Sequence, residues 1–255
     1  MTSALVTRPR PNHDDGSMGR SARRCLEFAM KGRKKKLRSH SVLVVDVGGK
    51  GIKVLAAGRK APRKIPSGPS MTASRMVRAV RRSARDWQYD RVSIGYPGPV
   101  IGGRPAHEPF NLGGGWVGFD FEKAFGCPVK VINDAAMQAL GSYQGRRMLF
   151  LGLGTGLGSA MIADEVLEPM ELAHLPYKHG RTYEDYLGRR GLEKRGLKKW
   201  RRHVFRIARE LKDALEADYV VIGGGNAKKI EELAPGMRRG GNDKAFTGGF
   251  RLWGA

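Results

Sequence analysis

Apolar residues alternate between strand-length runs and helical repeats from about residue 41 onward. Two runs, VLVVDVG and GIKVLAAG, are separated by glycines within residues 42–58, and this spacing predicts two strands joined by a tight turn. The following stretch, residues 69–88, has apolar side chains at helical spacing and arginines elsewhere, which predicts an amphipathic helix. Strand-like and helical segments then recur, so we expect an α/β protein with helices flanking mixed sheets.

The pattern of strand, glycine turn and strand occurs twice. The first copy follows Asp46, and the second lies in MLFLGLGTGLGSAMIAD, residues 148–164. A further apolar run, VVIGGG at residues 220–225, follows a long helical segment and ends in glycines. We interpret the repeat as an internal duplication of one architectural unit.

The N-terminal residues 1–40 lack this periodicity. They mix Pro, Arg, Ser and His with RKKKLR and are predicted to be a disordered basic leader. Met18 and Met30 are alternative starts of translation. The leader is either a solvated tail or an arm for nucleic acid or membrane, and the residues alone leave both open.

The net charge of +23, from 47 Lys and Arg against 24 Asp and Glu, favours polyanionic partners. Nucleic acid, anionic membranes, phosphate-rich ligands and polyphosphate all fit, and charge alone does not choose among them. Cys25 and Cys127 lie far apart without neighbouring ligand residues, which argues against a disulfide framework and a zinc site. With no apolar run long enough to cross a membrane, a cytoplasmic protein is expected.

Glycine turns between strands let backbone N–H groups approach an anion closely, so both turns are candidate phosphate sites. Asp46 at the first turn could orient Mg²⁺, directly or through water, while Lys53 is either a further phosphate contact or a solvated strand residue. In the second turn, Thr155 offers a hydroxyl. A strand rather than a helix follows this turn, which disfavours a dinucleotide-binding fold.

Asp134 lies where a β-branched strand meets a helix, in VINDAAMQAL. Either Asn133 or Asp134 could cap that helix, or Asp134 could be a general base with Asn133 as the cap. Three polar clusters, NLGGGW, ELAH and RTYEDY, offer groups suited to hydroxyl-rich ligands.

Taken in order, DVGGKGIK, NLGGGW, INDAAMQALG, LGLGTGLGSAMI, ELAH and VVIGGGNAKK resemble the ROK family of sugar kinases, and within it the polyphosphate glucokinases. This resemblance, which covers residue 41 to the C-terminus, implies the two-lobed actin-like and sugar kinase (ribonuclease H-like) fold. A small lobe would span residues 41–133 and a large lobe residues 134–255.

The resemblance also implies the roles of individual residues. Asp134 would be the catalytic base for the 6-hydroxyl of glucose, with Mg²⁺ held by Asp46 through water. Sugar hydroxyls would be bound by Asn111, Asn133, Glu171, His174 and Glu184. Donor phosphates would be bound by Asp46, Gly48, Gly49, Lys53, Gly154, Thr155, Gly156, Gly223, Gly224 and Gly225.

The implied reaction is transfer of a phosphoryl group from polyphosphate, ATP or both to glucose. Alternatives are a kinase for another hexose or an amino sugar, and a non-catalytic nucleic-acid-binding or regulatory protein on the same fold. The family's cysteine-rich motif after His174 is missing, so no zinc is expected, and a homodimer is implied. Basic clusters at Arg75–Arg85 and Arg189–Arg202 are either solvated helix faces or a track for polyphosphate.

Overall fold

Two five-stranded mixed sheets with flanking helices make up the structure. The computed structural model describes residues 41–254, which belong to one compact unit. The predicted basic leader, residues 1–40 with Met18 and Met30, lies outside the described residues. Within the described part of the chain, no helix is both long enough and apolar enough to cross a bilayer.

The strands fall into two sheets and one short ribbon. The first sheet contains β1 (Val42–Val47), β2 (Gly51–Ala56), β3 (Arg63–Pro66), β4 (Arg91–Tyr96) and β7 (Val129–Asn133). The ribbon pairs β5 (Val100–Ile101) with β6 (Arg104–Pro105). The second sheet contains β8 (Met148–Leu153), β9 (Leu157–Ala163), β10 (Val166–Met170), β11 (Tyr219–Gly223) and β12 (Met237–Arg239).

Six α-helices and two short 3-10 turns connect these strands in the described residues. The helices are α1 (Ala73–Ser83), α2 (Phe121–Phe125), α3 (Asp134–Ser142), α4 (Tyr183–Leu187), α5 (Arg189–Ala214) and α6 (Lys244–Arg251). The 3-10 turns are Leu172–His174 and Ala227–Lys229. Helix α5 bends at Gly196, whose φ of 72° is not helical.

The two sheets have the same topology. Their strand orders are β3-β2-β1-β4-β7 and β10-β9-β8-β11-β12. Within each sheet, the three strands that come first in the sequence form an antiparallel meander. The two later strands are added in parallel, beside the first strand of that meander. The predicted duplication and the predicted α/β class with mixed sheets are therefore confirmed.

Sequence patterns account for the central strands and the first helix. Residues 42–45 of β1 are fully buried, as expected for a β-branched run covered on both faces. Helix α1 begins after Thr72, whose hydroxyl accepts a hydrogen bond from the Arg75 backbone N–H at 3.3 Å. Met76, Val77 and Val80 form its buried face, which matches the predicted amphipathic helix.

Helices α3 and α6 pack between the sheets and cross at very short range. A side chain at Gly141 would collide with the Lys244 carbonyl, and one at Gly248 with the Met137 carbonyl. Met137 lies with Val42 and Val44 of the first sheet in one core cluster, which α6 completes. Although α6 follows the second sheet in the chain, it thus covers the first sheet, and the lobe boundary at residue 134 stays a prediction.

Candidate active site

Two carboxylates meet at one edge of the first sheet. Asp46 near the end of β1 is in register with Gly95 of β4, and Gly95 is in register with Ile132 of β7. Parallel strands align their carboxyl ends, at spacings of about 4.8 Å per strand. A Cβ built on Gly95 would overlap Met137 Cε and lie 3.6 Å from the Cα of Asp134, so the glycine leaves room for the first turn of α3.

Asn133 fixes the direction in which α3 begins. Its Oδ1 accepts hydrogen bonds from the backbone N–H groups of Ala135 at 2.9 Å and Ala136 at 3.1 Å. Its Nδ2 donates to the Gly98 carbonyl at 3.1 Å. Asn133 is therefore the N-cap, as one sequence interpretation had it, and Asp134 is the first helical residue.

The carboxyl group of Asp134 titrates near neutrality. Burial raises its pKa to about 7, and the nearby charges of Asp46 and Glu171 act in the same direction. The Ala135 N–H, which donates to Asp134 Oδ1 at 2.8 Å, opposes that rise. A carboxyl with this pKa exchanges a proton readily at physiological pH, as a general base must.

Asp46 is held by its partner across the β1–β2 hairpin. The two strands place Asp46 opposite Lys53, and Lys53 Nζ lies 3.4 Å from Asp46 Oδ2. Burial raises the pKa of Asp46, and the lysine partly offsets this effect. Lys53 was predicted to contact phosphate. Its ammonium lies beside Asp46 at the end of β1, and the phosphate contact stays a prediction.

The first glycine turn closes that hairpin. Gly48 and Gly51 exchange backbone hydrogen bonds of 3.2 and 3.3 Å, and the Ser67 hydroxyl donates to the Gly48 carbonyl at 2.6 Å. A Cβ built on Gly49 would lie 3.0 Å from Asn111 Cβ. The turn and the loop of Asn111 are thus in direct contact, which brings a predicted sugar residue to a predicted phosphate turn.

The loop that carries Asn111 is held in place by hydrogen bonds of Trp116 and Glu108. Trp116 is fully buried and its indole N–H donates to the Gly113 carbonyl at 2.7 Å. The carboxylate of Glu108 accepts from the Trp116 and Val117 backbone N–H groups at 3.1 Å. Asn111 itself is exposed. Glu108 was missed by the sequence analysis because nothing in HEPF marks it as a partner of a later loop.

The second glycine turn lies where α4 meets α5. Gly154 N–H donates to the Gly156 carbonyl at 3.0 Å, and Arg189 N–H donates to the Thr155 carbonyl at 3.1 Å. Glu184 Oε2 accepts from the Leu157 N–H at 3.1 Å and lies against Gly156. Glu184 is therefore positioned beside the second turn, and its predicted contact with a sugar hydroxyl stays a prediction.

The third glycine loop is joined to the second turn by Asn226. Its Nδ2 donates to the Gly154 carbonyl and its backbone N–H to the Leu153 carbonyl, both at 2.9 Å. Gly224 has a φ of +78°, and a Cβ there would lie 2.6 Å from the Leu153 backbone nitrogen. Only glycine fits this close approach.

Arg239 supports the same loop from β12. Its guanidinium donates to the carbonyls of Ala227 and Glu231 at 2.8 and 2.9 Å, and also to that of Ile230. Sequence reasoning identified Gly223, Gly224 and Gly225 but missed both Asn226 and Arg239. An asparagine after three glycines is a weak signal, and the arginine is distant in sequence.

The turn with Glu171 and His174 is fixed to the second sheet. The buried Ser159 hydroxyl donates to the Met170 carbonyl at 2.7 Å and accepts from the Leu172 N–H at 3.2 Å. Glu171 and His174 are both exposed, and the charge of Glu171 reaches Asp134. The structure thus gathers the two aspartates, Glu171 and the first turn, whereas within residues 41–254 the His174 side chain makes no hydrogen bond or ion pair to them.

Comparison with known proteins gives this arrangement a family. A model described as the ROK family matches residues 42–168. A polyphosphate glucokinase of Mycobacterium tuberculosis is 27% identical over 216 residues, which are 75% of this chain and 80% of that protein. A bifunctional enzyme NanE/NanK of Brucella melitensis is 31% identical over 145 residues, and these are 49% of this chain and 27% of that enzyme. The chain thus spans only about a quarter of the bifunctional enzyme.

Solved structures confirm the predicted fold. An inorganic polyphosphate/ATP-glucomannokinase from Arthrobacter sp. strain KM has a TM-score of 0.71 and 23% identity, covering 84% of this chain and 98% of its own. A ROK family glucokinase from Streptomyces griseus, in complex with glucose and AMPPNP, has a TM-score of 0.64 and 18% identity, covering 83% and 98%. The architecture is that of the actin-like sugar kinases.

Proposed function

Because the chain carries a ROK family domain and has the fold of the ROK sugar kinases, we propose that it transfers a phosphoryl group to the 6-hydroxyl of glucose. The donor is polyphosphate, ATP or both. The observation that carries the proposal is Asp134, a carboxyl with a pKa of about 7 at a helix start beside Asp46 and two glycine turns. This is the set of groups that phosphoryl transfer to an alcohol requires.

The chemistry follows from Asp134. As the sugar oxygen forms its bond to the terminal phosphorus, the bond from that phosphorus to the remaining donor phosphate breaks, and the hydroxyl proton passes to Asp134. The Asn133 cap keeps the carboxylate at the helix start while this happens. The N–H groups of the glycine turns stabilise the charge of the transferred group.

Mg²⁺ fits the charges at this edge. Together with burial, the negative charge of Asp46 raises the pKa of Asp134. A divalent cation between the two carboxylates would relieve their repulsion. Asp46 would hold the ion, directly or through water, since Mg²⁺ commonly takes one or two carboxylates together with phosphates. When bound, the cation neutralises charge on the donor phosphates.

The sugar site is assigned from the loops around the edge. Asn111 beside Gly49, Glu171 and His174 on their exposed turn, and Glu184 supply amide, carboxylate and imidazole groups for hydroxyls. The amide of Asn133 is already committed through three hydrogen bonds, which leaves one N–H for a sugar. The alternative acceptor is another hexose or an amino sugar, since a structural neighbour from Listeria monocytogenes is proposed to be an N-acetylmannosamine kinase.

The proposal is tested by incubating the protein with Mg²⁺ and a panel of glucose, mannose and N-acetylmannosamine. ATP and long-chain polyphosphate are supplied in parallel, and the sugar 6-phosphate is measured. We expect glucose 6-phosphate, and we expect EDTA to abolish it. Failure with every sugar and donor would instead favour the non-catalytic regulatory protein. Homodimerisation and a cytoplasmic location remain predictions.

Asn226 provides a second test, because its hydrogen bond orients a peptide of the second turn. In a trans peptide the carbonyl and the next N–H point in opposite directions, so holding the Gly154 carbonyl turns the Thr155 N–H away from the third loop. Asn226→Ala should raise KM for the donor by about three- to tenfold, the worth of one hydrogen bond, and leave KM for the sugar within about twofold.

The exposed Asn242 supplies the matched control, since its side-chain amide makes no hydrogen bond to either loop among the described residues. Equal rises in the two KM values for Asn226→Ala would mean that the residue supports the whole fold rather than the donor site.

A further inference from the structure

A row of exposed cations runs along helix α5. On each side of the bend at Gly196, basic side chains recur on the outward face at intervals of three or four residues, the spacing of neighbours on a helix surface. Trp200, Val204 and Ile207 on the opposite face are fully buried. We call the outward row the α5 basic face, and it consists of Arg190, Lys194, Lys198, Arg202, Arg206 and Arg209.

Most of these charges have no ion-pair partner in the part of the chain that the structure describes. Arg206 pairs with Glu210, with 2.7 Å between Nε and Oε1. For the other five, no carboxylate lies within ion-pair distance among residues 41–254. Like charges one turn apart repel each other, so this face gains from a bound polyanion.

The same face contains a groove. A depression of about 530 Å³ is lined by Arg202, Phe205, Arg206, Arg209 and Glu210. A chain of phosphates lying there could contact several guanidinium groups at once, each through paired hydrogen bonds.

The α5 basic face begins at the second glycine turn. Arg189 N–H donates to the Thr155 carbonyl at 3.1 Å, and a Cβ built on Gly188 would lie 2.9 Å from the same oxygen. Arg190 and Lys194 lie before the bend at Gly196, and from Lys198 to Arg209 the helix extends about 16 Å further at 1.5 Å per residue. Helix α5 therefore connects the place proposed for the donor phosphates with the groove.

The other basic cluster, on α1, lacks this connection. Arg75 donates to the Ser70 carbonyl at 2.8 Å and Arg81 to the Ala124 carbonyl of α2 at 3.0 Å, so two of its arginines are bound to neighbouring segments of the chain. Among the described residues, no backbone hydrogen bond joins α1 to either glycine turn.

We propose that the α5 basic face binds the distal phosphates of a linear polyphosphate whose terminal phosphate lies at the second glycine turn. This rests on the proposed kinase function and names the donor class that the site favours. Tripolyphosphate and ATP are too short to reach the groove, and long chains therefore gain affinity that short donors lack.

The test compares two triple variants of equal charge change. One is Lys194→Gln, Lys198→Gln and Arg202→Gln on α5, and the control is Arg78→Gln, Arg82→Gln and Arg85→Gln in the Arg75–Arg85 cluster, all at exposed positions. For the α5 variant we expect KM for long-chain polyphosphate to rise about tenfold or more at 0.1 M salt. Its KM for ATP should stay within about twofold, and the control should change neither value.

Salt provides an independent readout. Loss of three phosphate contacts should lower the slope of log KM against log salt by about 2 for long chains. Direct binding of long-chain polyphosphate, measured by competition without sugar, should weaken in the α5 variant alone.

The outcomes separate this inference from the proposed function. Wild-type activity with ATP but not with polyphosphate, or equal effects of the two triple variants, would overturn the α5 assignment and leave the kinase intact. No sugar phosphorylation with any donor would overturn the kinase itself. Binding of RNA by α5 with unchanged polyphosphate kinetics would assign the face to nucleic acid instead.

Discussion

Replacement of Asp134 by asparagine should lower kcat by about 10²- to 10⁴-fold, the usual contribution of a general base. KM for the sugar should change little, because the amide still fits at the helix start and Asn133 still caps it. For the wild-type protein, log kcat/KM should rise with pH and level off above about 7, the pKa of Asp134. Both are measured with a coupled assay for the sugar 6-phosphate.

The same substitution should stabilise the fold at high pH. The pKa of Asp134 is raised from 3.8 in the unfolded chain to about 7 in the folded protein. Stability is therefore full below the lower value and is lost as the pH rises through the higher one. Burial is the main cause of the raised pKa, and the charges of Asp46 and Glu171 add to it. We expect the Tm of Asp134→Asn to exceed that of the wild type at pH 8, with a smaller difference at pH 5.

Asp86 offers a matched control. It is an exposed carboxylate paired with Arg63, which lowers its pKa. Asp86→Asn should leave kcat unchanged and should not stabilise the protein at pH 8. Preserved sugar phosphorylation in Asp134→Asn would assign the general base to another group. Lost phosphorylation with preserved nucleic-acid binding would show that the basic surface binds nucleic acid independently of catalysis.

Gly248→Ala should destabilise the protein by about 3 kcal/mol or more, the upper range for overpacking. In an ordinary helix interior this change is stabilising by about 1 kcal/mol, so the expected sign is reversed. A Cβ on Gly248 would overlap the Met137 carbonyl and lie 2.9 Å from the Gly141 nitrogen, which forces α3 and α6 apart. At about 2–4 °C per kcal/mol for a chain of this size, Tm should fall by roughly 6–12 °C.

Differential scanning calorimetry of Gly248→Ala and Gly114→Ala makes the comparison. A Cβ on Gly114 would meet only the Glu108 carboxylate, at 3.8 Å, so this second variant should keep the wild-type Tm. A stabilised Gly248→Ala would show that the two helices can separate at no cost.

Local patterns revealed much of this fold in advance. Alternating apolar runs and two glycine turns predicted the strands and their duplication, since both signals lie within a few residues of each other. The pairing of β4 with both β1 and β7 brings Asp134 to Asp46, and no local pattern specifies such a long-range contact. The order of the motifs, through the family resemblance, predicted that these residues belong to one site.

Other site features could not be predicted because their partners are distant in sequence. Asn226 binds the Gly154 carbonyl from 72 residues away. Glu108 and Arg239 act on backbone groups, which carry no signature in the side-chain sequence. The close crossing at Gly141 and Gly248 is recognised only once the two helices are seen packed together. In the sequence alone, a glycine inside a helical run indicates only a weaker helix.

Helix α6 also has a consequence for how the chain acquires its structure during synthesis. The Ser93 hydroxyl donates to the Gly249 carbonyl across 156 residues, and the Trp253 indole donates to Ser93 across 160. The apolar face of β1 around Val42 and Val44 is therefore incompletely covered until α6 has been synthesised. The first sheet completes its core only when Gly249 and Trp253, 156 and 160 positions downstream of Ser93, are present, and chaperones that bind exposed β-branched segments would act on it in that interval.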